Sequence, residues 1–326
     1  MKTFLLYGHG SAFNHGAEAI IQTTALLLRA AFPDCPIILS THFREHDQLF
    51  SLPVDGYLER DMKYVELDKA SSAKGLYDSQ IYRSTLESID KDTVCLSVGG
   101  DNYCYPNWRR WKTIHECALS RGAKSVLWGC SVEPAFLHDD MADTLRTHHA
   151  ITARESLTCS ALQAGGINNV RLCPDPAFLL KPQKVPLPPQ FLPGHTVGFN
   201  LSPLVVRREP IPGILMQNVR QAIVHLLTHT DLHIALIPHV VLPMDNDYAL
   251  LSELYGEFSH DPRICLIDSG HSAAQYNILS PNAAPWWPPA HTPASPPILR
   301  LYLPSPLATR SRLRESQEIY SKMILF

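Results

Sequence analysis

Polar residues follow an apolar run at a point where a strand would pass into a helix. Asp101 and Asn102 come after the run 93–98 and are separated from it by Gly99 and Gly100. Two glycines let the backbone approach a ligand closely, and an aspartate beyond them can accept a proton. We therefore predict Asp101 as a catalytic residue and Gly99, Gly100 and Asn102 as substrate-binding residues. A tight turn between strand and helix remains the alternative.

A second candidate lies between the first predicted strand, 3–7, and the first predicted helix, at about 15–31. Its glycine spacing, G-x-G-x5-G, differs from the dinucleotide fingerprint, but backbone N–H groups at a helix start can still hold an anion. Asn14 and Glu18 flank Gly16 at this helix start. We predict that Asn14 and Gly16 bind substrate and that Glu18 is catalytic. An ordinary helix cap explains Asn14 equally well.

Two further candidates follow other strands. Arg154 and Glu155 place a cation and a carboxylate where a strand at about 150–152 becomes a helix, and we predict both as substrate-binding residues. The alternative is a salt bridge and a helix cap. His239 follows the strand 232–237 and is predicted to be catalytic. We expect Asn14, Glu18, Asp101 and Arg154 to gather at the carboxyl edge of one parallel sheet, where ligands of such folds bind.

Composition excludes several classes of protein. The chain has 326 residues, a net charge of −3 and a pI near 6.6, so no nucleic-acid partner is expected. No apolar run reaches the ~18 residues that a spanning helix needs. His225 and His229 are four residues apart but lack a carboxylate ligand nearby, and we expect no metal. Scattered cysteines without a C-x-x-C pair favour a reducing, cytoplasmic location.

Short apolar runs alternate with helical segments, which predicts an α/β fold with mainly parallel sheets and helices on both faces. We predict a first domain at 1–180, a proline-rich linker at 181–195 and a second, incomplete domain at 196–280. The second domain has three predicted strands, 196–201, 232–237 and 263–267. The remaining segment, 281–326, is an aberrant proline-rich tail without helix or strand periodicity.

These motifs, in order, resemble the polysaccharide pyruvyl transferase family. The resemblance runs from Met1 to about Ser280 and rests on NHGAEAI, VGGDNY, WGCSVEP, ARESLTCSAL, PDPAF, VGFNLSPL, LIPHV and DSGHSAAQYNILS. Family members commonly carry an Asp where this chain has Ala17. If that carboxylate is catalytic, either the neighbouring Glu18 replaces it or the activity of this chain is lower.

The resemblance implies two Rossmann-like domains facing a cleft, in a GT-B-like arrangement. It also implies transfer of a pyruvyl ketal from phosphoenolpyruvate to a sugar of a cell-surface polysaccharide, as in exopolysaccharide or cell-wall synthesis. The partners would be phosphoenolpyruvate, as donor substrate, and a glycan or lipid-linked sugar acceptor, and no cofactor is expected. Two alternatives stay open, a nucleotide-sugar glycosyltransferase of GT-B type and an inactive, truncated relative.

The proline-rich tail has an explanation in the reading frame. The resemblance implies an Arg-x-His motif in the second domain that holds the donor and protonates it, and no such motif follows Ser280. When residues 282–299 are back-translated and each codon is begun at the preceding third base, one permitted string contains Arg-Thr-His. In that frame, the codons of Trp286, Trp287 and Pro288 include Val-Ala whichever synonymous codons are chosen. We therefore predict that the tail is a frameshift product and that the chain as written has little or no activity.

Overall fold

The structure is a computed structural model that describes residues 2–137 and 139–282. The predicted tail therefore lies, from residue 283 on, outside the described residues. The described chain forms two compact units. The first contains residues 2–12 and 17–180, and the second contains residues 13–16 and 181–282. The short segment 13–16 is thus separated from its neighbours in sequence and groups with the second unit.

The first unit is built on a seven-stranded parallel sheet with the order β3-β2-β1-β4-β5-β6-β7. Because the chain moves outward from β1 to β3 and then returns to β4 on the other side of β1, the strand order reverses between β1 and β4. Ligands of open α/β sheets bind beyond the strands' carboxyl ends at such a reversal. The strands are β1 Thr3–Tyr7, β2 Ile37–Thr41, β3 Gly56–Glu59, β4 Thr93–Ser97, β5 Lys124–Cys130, β6 Ala150–Ala153 and β7 Val170–Leu172.

Strand β1, in the interior of the sheet, is apolar on both faces because helices cover the sheet on both sides. Phe4 and Leu6 belong to one buried cluster, which also contains residues of the first helix. Leu5 and Tyr7 belong to a second cluster, which contains residues of the helix 109–120. Successive strand residues point to opposite faces, so this division is what a doubly covered sheet requires.

The described residues of the first unit form eight helices, several of them short. The segment between β2 and β4 forms β3 and four helices whose residues show little apolar periodicity. The helices are α1 His15–Ala31, α2 Arg44–Gln48, α3 Met62–Ala70, α4 Asp78–Ile81, α5 Arg83–Glu87, α6 Arg109–Ser120, α7 Asp139–Arg146 and α8 Ser156–Ala164. Turns of 3-10 helix occur at Pro106–Trp108, Pro134–Phe136 and Pro176–Leu179.

The second unit has a three-stranded parallel sheet with the order β12-β9-β8 within the described residues. Its strands and helices are β8 Thr196–Phe199, α9 Pro203–Val206, α10 Ile214–His229, β9 His233–Leu236, β10 Val241–Leu242, β11 Asp245–Asn246, α11 Asp247–Phe258, β12 Ile264–Leu266 and α12 Ala273–Asn282. Strands β10 and β11 form a small antiparallel hairpin. The proline-rich segment 181–195 forms no helix or strand, but its Phe191 is buried in this unit's core.

Together these sheets confirm the predicted α/β class with two Rossmann-like sheets, the second of them small. No helix among the described residues is both long enough and apolar enough to cross a membrane.

Candidate functional site

A cluster around Arg154 lies at the carboxyl edge of the first unit's sheet. Arg154 directly follows β6, and its guanidinium group bonds to side chains that follow three other strands. Its Nε donates to Ser131 Oγ at 2.8 Å and its Nη1 to Asp175 Oδ2 at 2.9 Å, while its Nη2 is bonded to Asp101. We call these four residues the Arg154 cluster. The structure thus joins Asp101 and Arg154, as predicted, and adds Asp175 and Ser131.

The charges of the Arg154 cluster are unevenly shielded from water. The side chains of Arg154 and Asp175 are 19% and 17% exposed, whereas that of Asp101 is 48% exposed. Burial lowers the pKa of Arg154, but the carboxylates of Asp101 and Asp175 outweigh this effect and raise it. The guanidinium group therefore stays charged and holds the Asp101 carboxylate in place. Asp101 keeps an exposed carboxylate that can accept a proton or a hydrogen bond from a ligand.

The glycines before Asp101 are needed by the turn itself. A Cβ on Gly99 would overlap the carbonyl oxygen of Gly8 and the amide of Asn102. Gly100 has a φ of +64°, and a Cβ there would lie 2.8 Å from Arg154 Nη1. Asn102 is buried and donates from Nδ2 to Ser97 Oγ at 3.1 Å. The tight-turn alternative therefore explains Gly99, Gly100 and Asn102, which shape the loop that presents Asp101.

Two predicted site residues of the first unit are not available to a ligand. One of them caps a helix and the other is buried. The carboxylate of Glu155 caps α8, accepting hydrogen bonds from the Thr158 backbone N–H at 2.9 and 3.1 Å. This is the cap that the sequence left open as an alternative. Glu18 is fully buried in the first turn of α1. Neither carboxylate therefore has the exposure that Asp101 retains.

His239 lies on a loop of the second unit that a buried aspartate organises. Asp247 is 1% exposed, and its Oδ2 accepts hydrogen bonds from the backbone N–H groups of His239 and Val240 at 3.0 and 2.9 Å. The same oxygen accepts a third hydrogen bond from Asn200 Nδ2 at 2.9 Å. We call Asn200, His239, Val240 and Asp247 the His239 loop cluster. The hydrogen bonds of this cluster hold the backbone of His239 in place.

The segment 13–16 packs against this loop. Asn14 forms a β-bridge with Val240, and the backbone N–H of His15 donates to the His239 carbonyl at 3.1 Å. A Cβ on Gly16 would lie 3.1 Å from His239 Nε2, so the glycine leaves room for the imidazole. Asn14 and Gly16 thus lie with His239 in the second unit, whereas the sequence placed Asn14 with Asp101.

The two imidazoles of this region are neutral near pH 7. Burial, with a smaller contribution from the neighbouring His15, lowers the pKa of His239 to about 4. Burial likewise lowers the pKa of His15 to about 4. A neutral imidazole can accept a proton from a hydroxyl group. The ring centroids of His15 and Tyr276 are 4.8 Å apart, so the tyrosine ring packs against this histidine.

Sequence reasoning missed several of these residues. Asp175 lies in the PDPAF motif, to which the sequence assigns no chemical role, and Asp247 lies in none of the motifs. Ser131 and His15 lie inside motifs but had no assigned role. Spacing alone reveals none of these partners, because each acts on a residue that is distant in sequence. Within the described residues, no group of three His, Cys, Asp or Glu side chains could hold a metal ion.

The Asp247→Ala variant is expected to lose about 3 kcal/mol of unfolding free energy. It leaves the His239 and Val240 N–H groups and the Asn200 amide without their acceptor, and each buried, unpaired donor costs ~1–3 kcal/mol. Asp245→Ala is the matched control, since Asp245 pairs with Arg207, whose side chain is 52% exposed. That change is expected to cost less than ~1 kcal/mol. Equal losses in urea unfolding would contradict the role given to Asp247.

The family model described as Polysaccharide pyruvyl transferase matches residues 14–283. The match includes the Arg154 cluster and the His239 loop cluster, and it ends three residues into the proline-rich tail. None of the curated proteins matches this sequence.

Solved structures resemble this chain at low identity. A putative UDP-N-acetylglucosamine 2-epimerase from Listeria monocytogenes is 12% identical, with a TM-score of 0.54 over 87% of this chain and 73% of that protein. E. coli heptosyltransferase WaaC with ADP is 11% identical, with a TM-score of 0.41 over 87% of this chain and 79% of that one. E. coli ADP-heptose lps heptosyltransferase II has 11% identity and a TM-score of 0.42 over 87% and 77%. The similarity to the Listeria protein shows that the two chains share a fold.

Proposed function

The chain belongs to the polysaccharide pyruvyl transferase family, and we propose that it is built to transfer a pyruvyl ketal from phosphoenolpyruvate to a sugar of a cell-surface polysaccharide. The observation that carries this proposal is the family match over residues 14–283, which includes both side-chain clusters. The acceptor would be a glycan or a lipid-linked sugar. The eight free cysteines are consistent with a reaction in the reducing cytoplasm.

The reaction defines what the side chains have to do. C3 of the donor gains one proton, and C2 forms bonds to two sugar oxygens while its bond to the phosphate oxygen breaks. The two sugar hydroxyls release two protons, of which C3 takes one and the leaving phosphate takes the other. The site therefore needs a base near the sugar hydroxyls, an acid near C3, and cations or N–H groups for the donor's carboxylate and phosphate.

Asp101 is the best candidate for the base in the first unit. Its carboxylate is half exposed at the carboxyl edge of the sheet, and the charged Arg154 fixes its orientation. Arg154 already donates from all three guanidinium nitrogens to protein side chains, so we assign it the role of positioning Asp101. Asp175, on the other side of Arg154, holds the guanidinium group in place.

His239 is the candidate base of the second unit. With a pKa of about 4, its imidazole is unprotonated near pH 7 and can take a hydroxyl proton. Asp247 positions the backbone of this histidine through the His239 loop cluster. The acid that protonates C3 is, in this proposal, the histidine of the Arg-Thr-His string in the alternative reading frame.

Binding of the donor provides a test that does not depend on turnover. A saturating ligand that binds only the folded protein stabilises it by about 2.7 kcal/mol at a concentration 100 times its Kd. We expect phosphoenolpyruvate to raise the melting temperature of the chain read in the alternative frame after residue 282, because the chain as written lacks the Arg-Thr-His string assigned to donor binding. Inorganic phosphate and UDP-N-acetylglucosamine serve as comparisons. Protection by the nucleotide sugar with none by phosphoenolpyruvate would reject the proposal in favour of a glycosyltransferase.

A further inference from the structure

Basic side chains follow three neighbouring strands of the first unit. His9 lies two residues after β1, His42 directly follows β2 and Arg60 directly follows β3. Because these strands are parallel neighbours, their carboxyl ends share one edge of the sheet. Helix α6 adds Arg110 to this group, and its next residue, Trp111, stacks on the His42 ring with the centroids 6.3 Å apart.

Neither Arg60 nor Arg110 has a bonded carboxylate among the described residues, although Arg110 is hydrogen-bonded to the Tyr82 hydroxyl. The Nε atoms of both Arg60 and Arg110 are buried and have no hydrogen-bond partner in the part of the chain that the structure describes. The guanidinium group of Arg60 lies over the Phe43 ring, 4.7 Å from its centroid. By contrast, Arg109, the neighbour of Arg110, is 65% exposed and pairs with Asp140 at 3.0 Å.

The positive charge of the pair is not balanced by a bonded carboxylate. Burial lowers the pKa of Arg60, and Arg110 lowers it further. Burial also lowers the pKa of His42 far below its usual value, and both arginines add to this effect. Asp78, a buried carboxylate whose pKa is raised by that burial, interacts electrostatically with Arg110 but forms no ion pair with it among the described residues. Glu66 likewise acts on Arg60 only through its charge. Partly buried cations without a counterion are costly.

We propose that Arg60 and Arg110 form a binding subsite for a phosphate-type oxyanion at the β2–β3 edge of the first unit's sheet. Guanidinium groups present forked N–H donors that match the paired oxygens of phosphate. His42 and Tyr82 complete the group, with His42 Nε2 lying 3.0 Å from the Tyr82 hydroxyl. The subsite stands without the proposed function; only the source of the phosphate depends on it. That source is either the donor or a phosphate that links the acceptor sugar to its carrier.

Calorimetric titration of the full chain with inorganic pyrophosphate tests the subsite. Arg60→Gln and Arg110→Gln are each expected to weaken binding by roughly 10- to 100-fold, since each removes hydrogen bonds from a charged donor. Arg109→Gln is the matched control, and it should bind pyrophosphate as the unchanged protein does. Failure of the unchanged protein to bind, or equal weakening by Arg109→Gln, overturns the proposal.

A measurement on the unchanged protein removes any dependence on how the variants fold. In an NMR titration with pyrophosphate, the Nε–H signals of Arg60 and Arg110 are expected to shift, while that of Arg109 stays in place. Unmoved Arg60 and Arg110 signals overturn the proposal. Adding phosphoenolpyruvate then separates the sources. Displacement of pyrophosphate supports a subsite for the donor's phosphate, and simultaneous binding of both ligands supports a subsite for the acceptor's phosphate.

Discussion

Restoring the alternative reading frame after residue 282 is expected to raise the rate of phosphate release from phosphoenolpyruvate by roughly 10²- to 10³-fold. That is the usual effect of one preorganised electrostatic group on catalysis. The alternative frame permits an Arg-Thr-His string, which the family resemblance assigns to donor binding and protonation. The family match ends at residue 283, within the first residues of the proline-rich tail. The rate is measured with a panel of glycan acceptors, for the chain as written and for the reframed chain.

A control separates the motif from a general gain in folding. A reframed chain whose Arg-Thr-His string is changed to Gln-Thr-Gln should melt like the reframed chain but turn over like the chain as written. Equal turnover by the chain as written and the reframed chain would show that the motif is dispensable. The genomic sequence across codons 279–283 provides an independent check, because a frameshift requires one base gained or lost there.

Acidification is expected to destabilise the first unit steeply, because two stacked histidines are buried in the neutral form. The rings of His115 and His148 are 3.8 Å apart and nearly parallel, and both residues are buried. Burial lowers the pKa of His115 to about 4 and that of His148 to about 3. His115 is held by hydrogen-bonding contacts with Ser125 Oγ at 2.7 Å and Thr147 Oγ1 at 2.8 Å.

The sign of the effect follows from these lowered pKa values. In the unfolded chain both histidines take up protons below about pH 6.5, whereas the folded protein keeps them neutral. Their contribution to stability is complete above about pH 6.5 and falls as the pH drops toward 4, by up to about 1.4 kcal/mol per histidine per pH unit. Between about pH 6.5 and about pH 4.5, the two histidines therefore lower the free energy of unfolding by about 5 kcal/mol. Many domains have a total stability of about that size.

Urea unfolding between about pH 7 and about pH 4.5 measures this loss. His148→Phe keeps an aromatic ring in the stack and removes one of the two titrating groups. It should therefore reduce the slope of unfolding free energy against pH by up to about 1.4 kcal/mol per unit. His225→Gln replaces an exposed histidine of α10 and serves as the control. Identical slopes for His148→Phe and the control would contradict the assignment.

The elements that the sequence predicted well are those with long apolar patterns. The strand at Thr3–Tyr7 and the helix at His15–Ala31 are found at the predicted limits. The strand Gly56–Glu59 was missed because only half-buried and exposed residues form it, at the edge of the sheet. The short helices α2 to α5 were missed for a similar reason, since their residues show little apolar periodicity.

The candidate site was predicted in part, and the limits are physical. Asp101 and Arg154 stand at strand ends, so their places followed from the order of the elements. The function of Asp247 depends on hydrogen bonds to the backbone of His239 and Val240, and backbone donors leave no mark in a sequence. Arg60 and Arg110 belong to no motif, and only the fold reveals that their buried Nε atoms have no hydrogen-bond partner among the described residues.

The most direct test of the central claim is to follow the carbon atoms of the donor. Phosphoenolpyruvate labelled at its three carbons is incubated with the reframed chain and the acceptor panel, and the products are identified by mass spectrometry and NMR. We predict that one acceptor gains all three labelled carbons as a cyclic ketal bridging two sugar oxygens, with one phosphate released for each ketal. Labelled pyruvate with no labelled glycan, or glycan extended only when a nucleotide sugar is supplied, would contradict pyruvyl transfer.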